Sequence, residues 1–166
     1  MANIKPAEIE RSAYHIAGHI FIHLLTGIEL TEANIIENNK QLHMVIHDNY
    51  DFIQNNDKEL RDDIIMCLRS GSLAEKYYCW INCIIYDSKM SGNDIWQISR
   101  LYYEGAYKLK WQEGFENHIN NLEIETERLI KVHWSFVEII AQNLLKNRKL
   151  TVEEINESWK DHLMKK

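Results

Sequence analysis

Proline occurs once, at Pro6, and glycine six times in 166 residues. So few breakers leave little to interrupt regular structure and favour helix. Cysteine is scarce and odd in number, with three residues and no CxxC pair; buried thiols in a reducing compartment explain that better than a disulfide framework. Long apolar runs are missing too. No stretch of about 18 uncharged apolar residues occurs, and the opening MANIKPAEIE has no apolar signal core, which predicts no transmembrane segment and a cytoplasmic location. Positive charge is in deficit: 19 Lys and Arg face 25 Asp and Glu, a formal charge of −6. Nucleic acid and anionic membrane both recruit clustered cations and are excluded as partners. Low-complexity segments, charge blocks and repeats are absent, so residues 1–166 read as one domain with its core over about residues 6–165. What is present is an ordinary apolar fraction of 45%, five Trp and eight Tyr for a packed interior, and an unusual eight His.

Residues 6–26 read as the first helix, with Pro6 at the first helical position, Glu8 and Glu10 in the first turn and Gly27 closing it. On its wheel Ile9, Ala13, Ile16, Ile20 and Leu24 share one arc, and His15, His19 and His23 run along the next. Near alternation on either side of Glu37-Asn38-Asn39-Lys40 predicts a β-hairpin over residues 29–48. Helical spacing resumes over residues 58–86, with a break or a close approach at Ser70-Gly71-Ser72. After a loop at residues 87–93, Ile95, Ile98, Leu101, Tyr102, Gly105 and Leu109 mark another helix. The strongest helical stripe runs from Ile119 through Leu144. Thr151 with Glu154 forms a capping box, and Leu150 with Ile155 a hydrophobic staple, at the start of a final helix. The fold class is therefore mostly α with minor β: a helical domain carrying a small hairpin after the first helix.

Three His pairs stand four apart, at 15/19, 19/23 and 43/47, against roughly 0.4 expected from composition. On a helix that spacing lets two imidazoles reach one metal ion. On a strand it separates them by about 13 Å, so His43 and His47 cannot share one ion. Hydrolytic zinc sites use H-E-x-x-H, in which the Glu takes a proton from the zinc-bound water. Here the run is His15-Ile16-Ala17-Gly18-His19: both ligand positions are filled and the base is missing. A semi-buried His stripe with satisfied ring nitrogens is the alternative.

The stretch Arg11-Ser12-Ala13-Tyr14-His15-Ile16-Ala17-Gly18-His19 resembles the H-E-A-G-H helix of the FtsH-type zinc metallopeptidases. Gly71-Ser72-Leu73-Ala74-Glu75 is similar to that family's glycine-then-Ala-Glu segment, and Ser91-Gly92-Asn93-Asp94 to its Gly-x-x-Asn-Asp stretch. The tail from His133-Trp134 to Glu154 resembles small stand-alone relatives of the peptidase domain, so the likeness spans about residues 10–160. It implies His15, His19 and Asp94 as zinc ligands with an open fourth position, and Glu75 orienting a ligand imidazole through its other nitrogen. Read without the resemblance, Asp94 is a helix N-cap and Glu75 a solvated helix residue. No Walker A pattern accompanies these motifs, so no ATPase domain is expected.

Ile16 cannot accept a proton, and a positioned general base contributes about 10²–10⁴-fold. The expectation is a degenerate metallopeptidase-like domain, a pseudoenzyme that retains a zinc ion and acts as a binding or regulatory module for a protein or peptide. Two alternatives stand beside it: an active zinc peptidase or hydrolase with Glu75 as substitute base, and a metal-free interaction domain. Cys79, Cys83 and His118 as a second metal set read better as core. Trp96, Tyr102, Tyr103, Tyr107 and Trp111 indicate helix packing, with part of that surface open to a homo-oligomeric contact.

Overall fold

The computed structural model describes residues 6–38, 41–48, 57–87, 92–110 and 113–164, with the backbone alone at residues 6–7, 31–32, 36–38, 41–48, 92–94 and 109. The chain runs α1 (Pro6–Thr26), β1 (Leu30–Asn38), β2 (Gln41–Asp48), α2 (Lys58–Ile81), α3 (Gly92–Leu109), α4 (Phe115–Val132), α5 (Trp134–Asn147), β3 (Lys149–Thr151) and α6 (Val152–Met164). It is mostly helical with a minor antiparallel sheet. No described helix is long and apolar enough to cross a membrane.

The first helix has the bounds its caps predict, and Gly27 follows it at φ +70°, a conformation that costs glycine little. The hairpin pairs Asn34 with Val45, Ile36 with His43 and Asn38 with Gln41, with a bulge between Leu30 and Ala33. Its turn residues Asn39 and Lys40 lie outside the described residues. His43 and His47 are both on β2, where the strand reading put them. A third strand, not anticipated, joins the sheet: β3 pairs with β1 through Ala33 and Leu150, giving the order β2-β1-β3. Leu150 is buried while Lys149 and Thr151 are exposed, so three residues suffice to dock the start of α6 onto the sheet.

α1 is the central element, packed on α2 along one side and α5 along another. Ala13, Ile16, Ala17, Ile20 and Phe21 are fully buried in a core shared with Cys67, Ala74, Phe136, Ile140 and Ile155. A smaller cluster joins Ile64, Ile65 and Leu68 of α2 to Ile98 and Leu101 of α3. The Ser70-Gly71-Ser72 stretch does not break α2; it marks a close approach. A Cβ on Gly18 would fall 2.6 Å from Ala74 Cβ and 2.6 Å from the Ser70 carbonyl oxygen, so α1 and α2 cross with their backbones nearly touching.

Several boundaries depart from the periodic reading. α2 starts where Asp57 Oδ1 accepts from the Glu59 and Leu60 N–H groups and stops at Ile81 rather than near residue 86. There Cys83 adopts φ 54°, its N–H donates to the Trp80 carbonyl, and the Ile84 N–H donates to the Cys79 carbonyl at 2.8 Å. That Schellman closure turns the chain away from the helix. Cys79 is buried core, but Cys83 at the left-handed position is exposed, which corrects its assignment to the core. The long stripe ending at Leu144 is divided by His133 (φ −110°, ψ 24°), which caps α4 and whose carbonyl starts α5. The α6 capping box forms as spaced: the Thr151 N–H donates to Glu154 Oε2 at 2.8 Å and the Glu154 N–H to Thr151 Oγ1 at 3.3 Å. On α3, Tyr102 is buried, whereas Trp96, Tyr103 and Tyr107 are exposed; Trp111 lies outside the described residues.

Candidate functional site

His15 and His19 lie one turn apart on α1, on the face that meets α2, with ring centroids 4.9 Å apart. The facing residue is Gly71. A Cβ placed on it would fall 2.3 Å from His19 Nε2 and 2.5 Å from His15 Nε2, so both Nε2 atoms converge on the space above that bare backbone. Any larger residue would push the imidazoles apart.

The opposite ring nitrogens are held. His19 Nδ1 donates to the Cys67 carbonyl at 2.7 Å; a carbonyl only accepts, so in the neutral ring Nε2 carries the lone pair. Ser70 Oγ, itself donating to the same carbonyl, stands 3.4 Å from that nitrogen. His15 Nδ1 lies 3.1 Å from Glu75 Oε2. Glu75 is in turn gripped by Arg11, whose Nε and Nη2 approach Oε1 at 2.8 and 2.7 Å, while Arg11 Nη1 reaches Asp87 Oδ1 at 2.8 Å. Burial pushes the Glu75 carboxyl up, but the His15 and Arg11 hydrogen bonds and charges outweigh it and hold the group below the usual carboxylate range. Glu75 is buried rather than solvated. Imidazoles fixed through Nδ1 with Nε2 presented to a common point match the outer-shell pattern of metal-binding histidines.

The fold thus brings together His15, His19 and Glu75. Asp94 sits in the first turn of α3, with its side chain outside the described residues. No group of three His, Cys, Asp or Glu among the described residues is arranged to hold a metal ion. Ile16, at the position a general base would take, is fully buried among Ala13, Ile20 and the rest of the main core. Of the other histidines with described side chains, His23 Nδ1 lies 3.3 Å from the Ile28 carbonyl oxygen. His118 lies between Asp62 Oδ1 at 2.8 Å and Glu113 Oε2 at 3.1 Å, and His133 Nδ1 meets His162 Nε2 at 3.2 Å.

Arg11, Asp87 and the Cys67 carbonyl were not singled out by the sequence. Arg11 carried a signal, since it stands four residues before His15 on the same face. A main-chain carbonyl leaves no trace in residue identity. No protein-family model matches the chain, and no curated protein matches it.

Proposed function

We propose that the protein is a degenerate zinc-metallopeptidase-like domain of the cytoplasm, in which His15 and His19 hold a metal ion and the module serves to bind or regulate a protein or peptide. The observation that carries this reading is the convergence of both Nε2 atoms above Gly71, with each Nδ1 occupied from behind. The donor set suits zinc, with Asp94 as the third ligand that the FtsH-type resemblance implies. When bound, zinc supplies a positive charge that ties the two imidazoles together and polarises an oxygen ligand.

The surrounding residues argue against hydrolysis. Ile16 offers no lone pair where the base should stand, and its burial in the core leaves it no route to a reacting water. Glu75 is a poor substitute. Its Oε1 is committed to Arg11, and its Oε2 faces the His15 nitrogen opposite the convergence point. It orients and charges the imidazole instead.

Elemental analysis of protein purified without chelator is expected to give about one equivalent of zinc, lost in His19→Ala, with no cleavage of unfolded substrates. Efficient proteolysis abolished by His19→Ala would overturn the reading. Because position 16 is fully buried, Ile16→Glu is expected to lower stability and to restore no cleavage; measurable cleavage by that variant would show that position 16 does reach the site. A second reading is a metal-free interaction domain in which the two imidazoles are held only through Cys67 and Glu75; zinc-free protein with unchanged stability in His15→Ala would establish it.

A further inference from the structure

α3 meets α2 through Ile98 and Leu101 and turns Ile95, Trp96, Tyr103 and Tyr107 away from it, 53%, 59%, 61% and 87% exposed. We propose that this face pairs with the same face of a second copy of the chain, the two α3 helices lying antiparallel across a two-fold axis. The inference goes beyond the zinc reading and does not depend on it.

The face is a seam of its own. Trp96, Arg100, Tyr103 and Tyr107 follow one another by four, three and four residues, the spacing that keeps side chains in line along a helix contact. Ile98, Leu101, Tyr102 and Gly105 are buried on the other side, so the seam is a second face and not the flank of the core. Two of its rings are held from within the chain. Arg100 lies over Trp96, 5.6 Å from the ring centroid, and Tyr103 stacks on Phe115 at 5.7 Å. Rings already fixed lose little freedom on docking.

The spacing also selects the occupant. Four-three-four reads the same in both directions, so an antiparallel copy whose axis passes between Leu101 and Tyr102 sets Trp96 against Tyr107 and Arg100 against Tyr103, each contact made twice. That rotation keeps residues on the side of the seam where they started. Arg100 and Glu104 share one side, Arg100 Nε donating to Glu104 Oε1 at 2.8 Å. After the rotation Arg100 stands within one residue's rise, about 1.5 Å along the helix, of Glu104 in the second copy. Each guanidinium therefore meets a carboxylate and an aromatic ring across the contact. A parallel copy would instead set Arg100 against Arg100, and a bilayer would desolvate Arg100 and Glu104 without replacing their water.

The size of the face sets the strength. At the exposures above, its four apolar residues present about 500 Å² per copy, given about 150–250 Å² for a whole aromatic side chain. Two copies then bury about 1,000 Å², the lower bound for a specific contact and the size of a weak one. A dimer dissociating in the micromolar range is expected.

Sedimentation equilibrium of the full chain from about 1 to 500 µM should show the mass rising from one 19.8 kDa chain to two. Tyr107→Glu, at the most exposed of these positions, should weaken the dimer about 30-fold with its unfolding midpoint unchanged. Ile124→Glu, at an equally exposed apolar position on α4, should leave the dimer as it is. Orientation is read by a short bismaleimide in a Cys83→Gly background: Trp96→Cys mixed with Tyr107→Cys should cross-link faster than either variant alone. A single-chain mass throughout the range would overturn the proposal and leave the face to a different protein. A dimer that Tyr107→Glu leaves intact, or faster cross-linking of Trp96→Cys alone than of the mixture, would overturn it as well.

Discussion

His19 Nε2 stands 2.3 Å from the point where a Cβ on Gly71 would lie. In an unconstrained helix interior, glycine to alanine gains about 1 kcal/mol of stability. Here the methyl group would displace two rings already tied to the Cys67 carbonyl and Glu75. Gly71→Ala is therefore expected to forfeit that gain, lose about 1–3 kcal/mol through overpacking, and, on the proposed metal-binding reading, fail to retain zinc. Chemical denaturation and metal content measure both. A variant stabilised by the helix-propensity gain with metal stoichiometry intact would refute the convergence.

Glu75 makes stability depend on acid. A carboxyl held below its ordinary value contributes stability above the unfolded-state value near 4.5 and loses it as pH falls through the lower folded value. Glu75→Gln should cost about 2 kcal/mol at pH 7 by leaving Arg11 and His15 without their anion. Its acid limb of unfolding should be shallower than that of the parent. Parallel limbs between pH 5 and 2 would show that Glu75 is not the group responsible.

Asp63 acts in the opposite direction. Burial, then the charges of Glu59, Asp62 and Asp57, push its carboxyl from 3.8 up to about 6. A raised carboxyl costs stability once ionised: the penalty is complete above pH 6 and absent below the unfolded value of 3.8. Asp63→Asn should then gain about 1–2 kcal/mol at pH 7, discounted for partial solvent screening, and nothing at pH 3.5. Melting temperatures at the two pH values separate this from a general gain.

Cys83 occupies a left-handed backbone position, at φ 54°, that glycine adopts more cheaply. Because its side chain is exposed, Cys83→Gly removes no core contact. The variant should be about 0.5–1 kcal/mol more stable, read as a higher denaturation midpoint at unchanged slope. A loss of stability would mean the thiol makes a contact that its exposure does not suggest.

The residues that were legible in advance share one property: their signals are local. Pro6 and Gly27 bound α1, alternation around residues 37–40 marks the hairpin, and Thr151 with Glu154 announces α6, because caps and turns act within a few residues. The same locality misleads where distant contacts compete. The apolar stripe from Ile119 to Leu144 keeps its period through His133, yet the helix breaks there as α5 swings to pack on α1. Strand β3 has only three residues and exists because β1 offers an open edge.

The candidate site divides the same way. Spacing alone placed His15 and His19 on one helical face and showed Ile16 where a proton acceptor would be needed. Which nitrogen each ring presents, the burial of Glu75 under Arg11, and the service of Gly71 as the floor beneath both imidazoles come from α2 lying across α1, some 50 to 60 residues away in sequence. The contact between Tyr14 and Gln142 is more distant still, uniting residues 128 apart. Backbone preference is written residue by residue, whereas the meeting of side chains from separate helices is set by how a whole core closes.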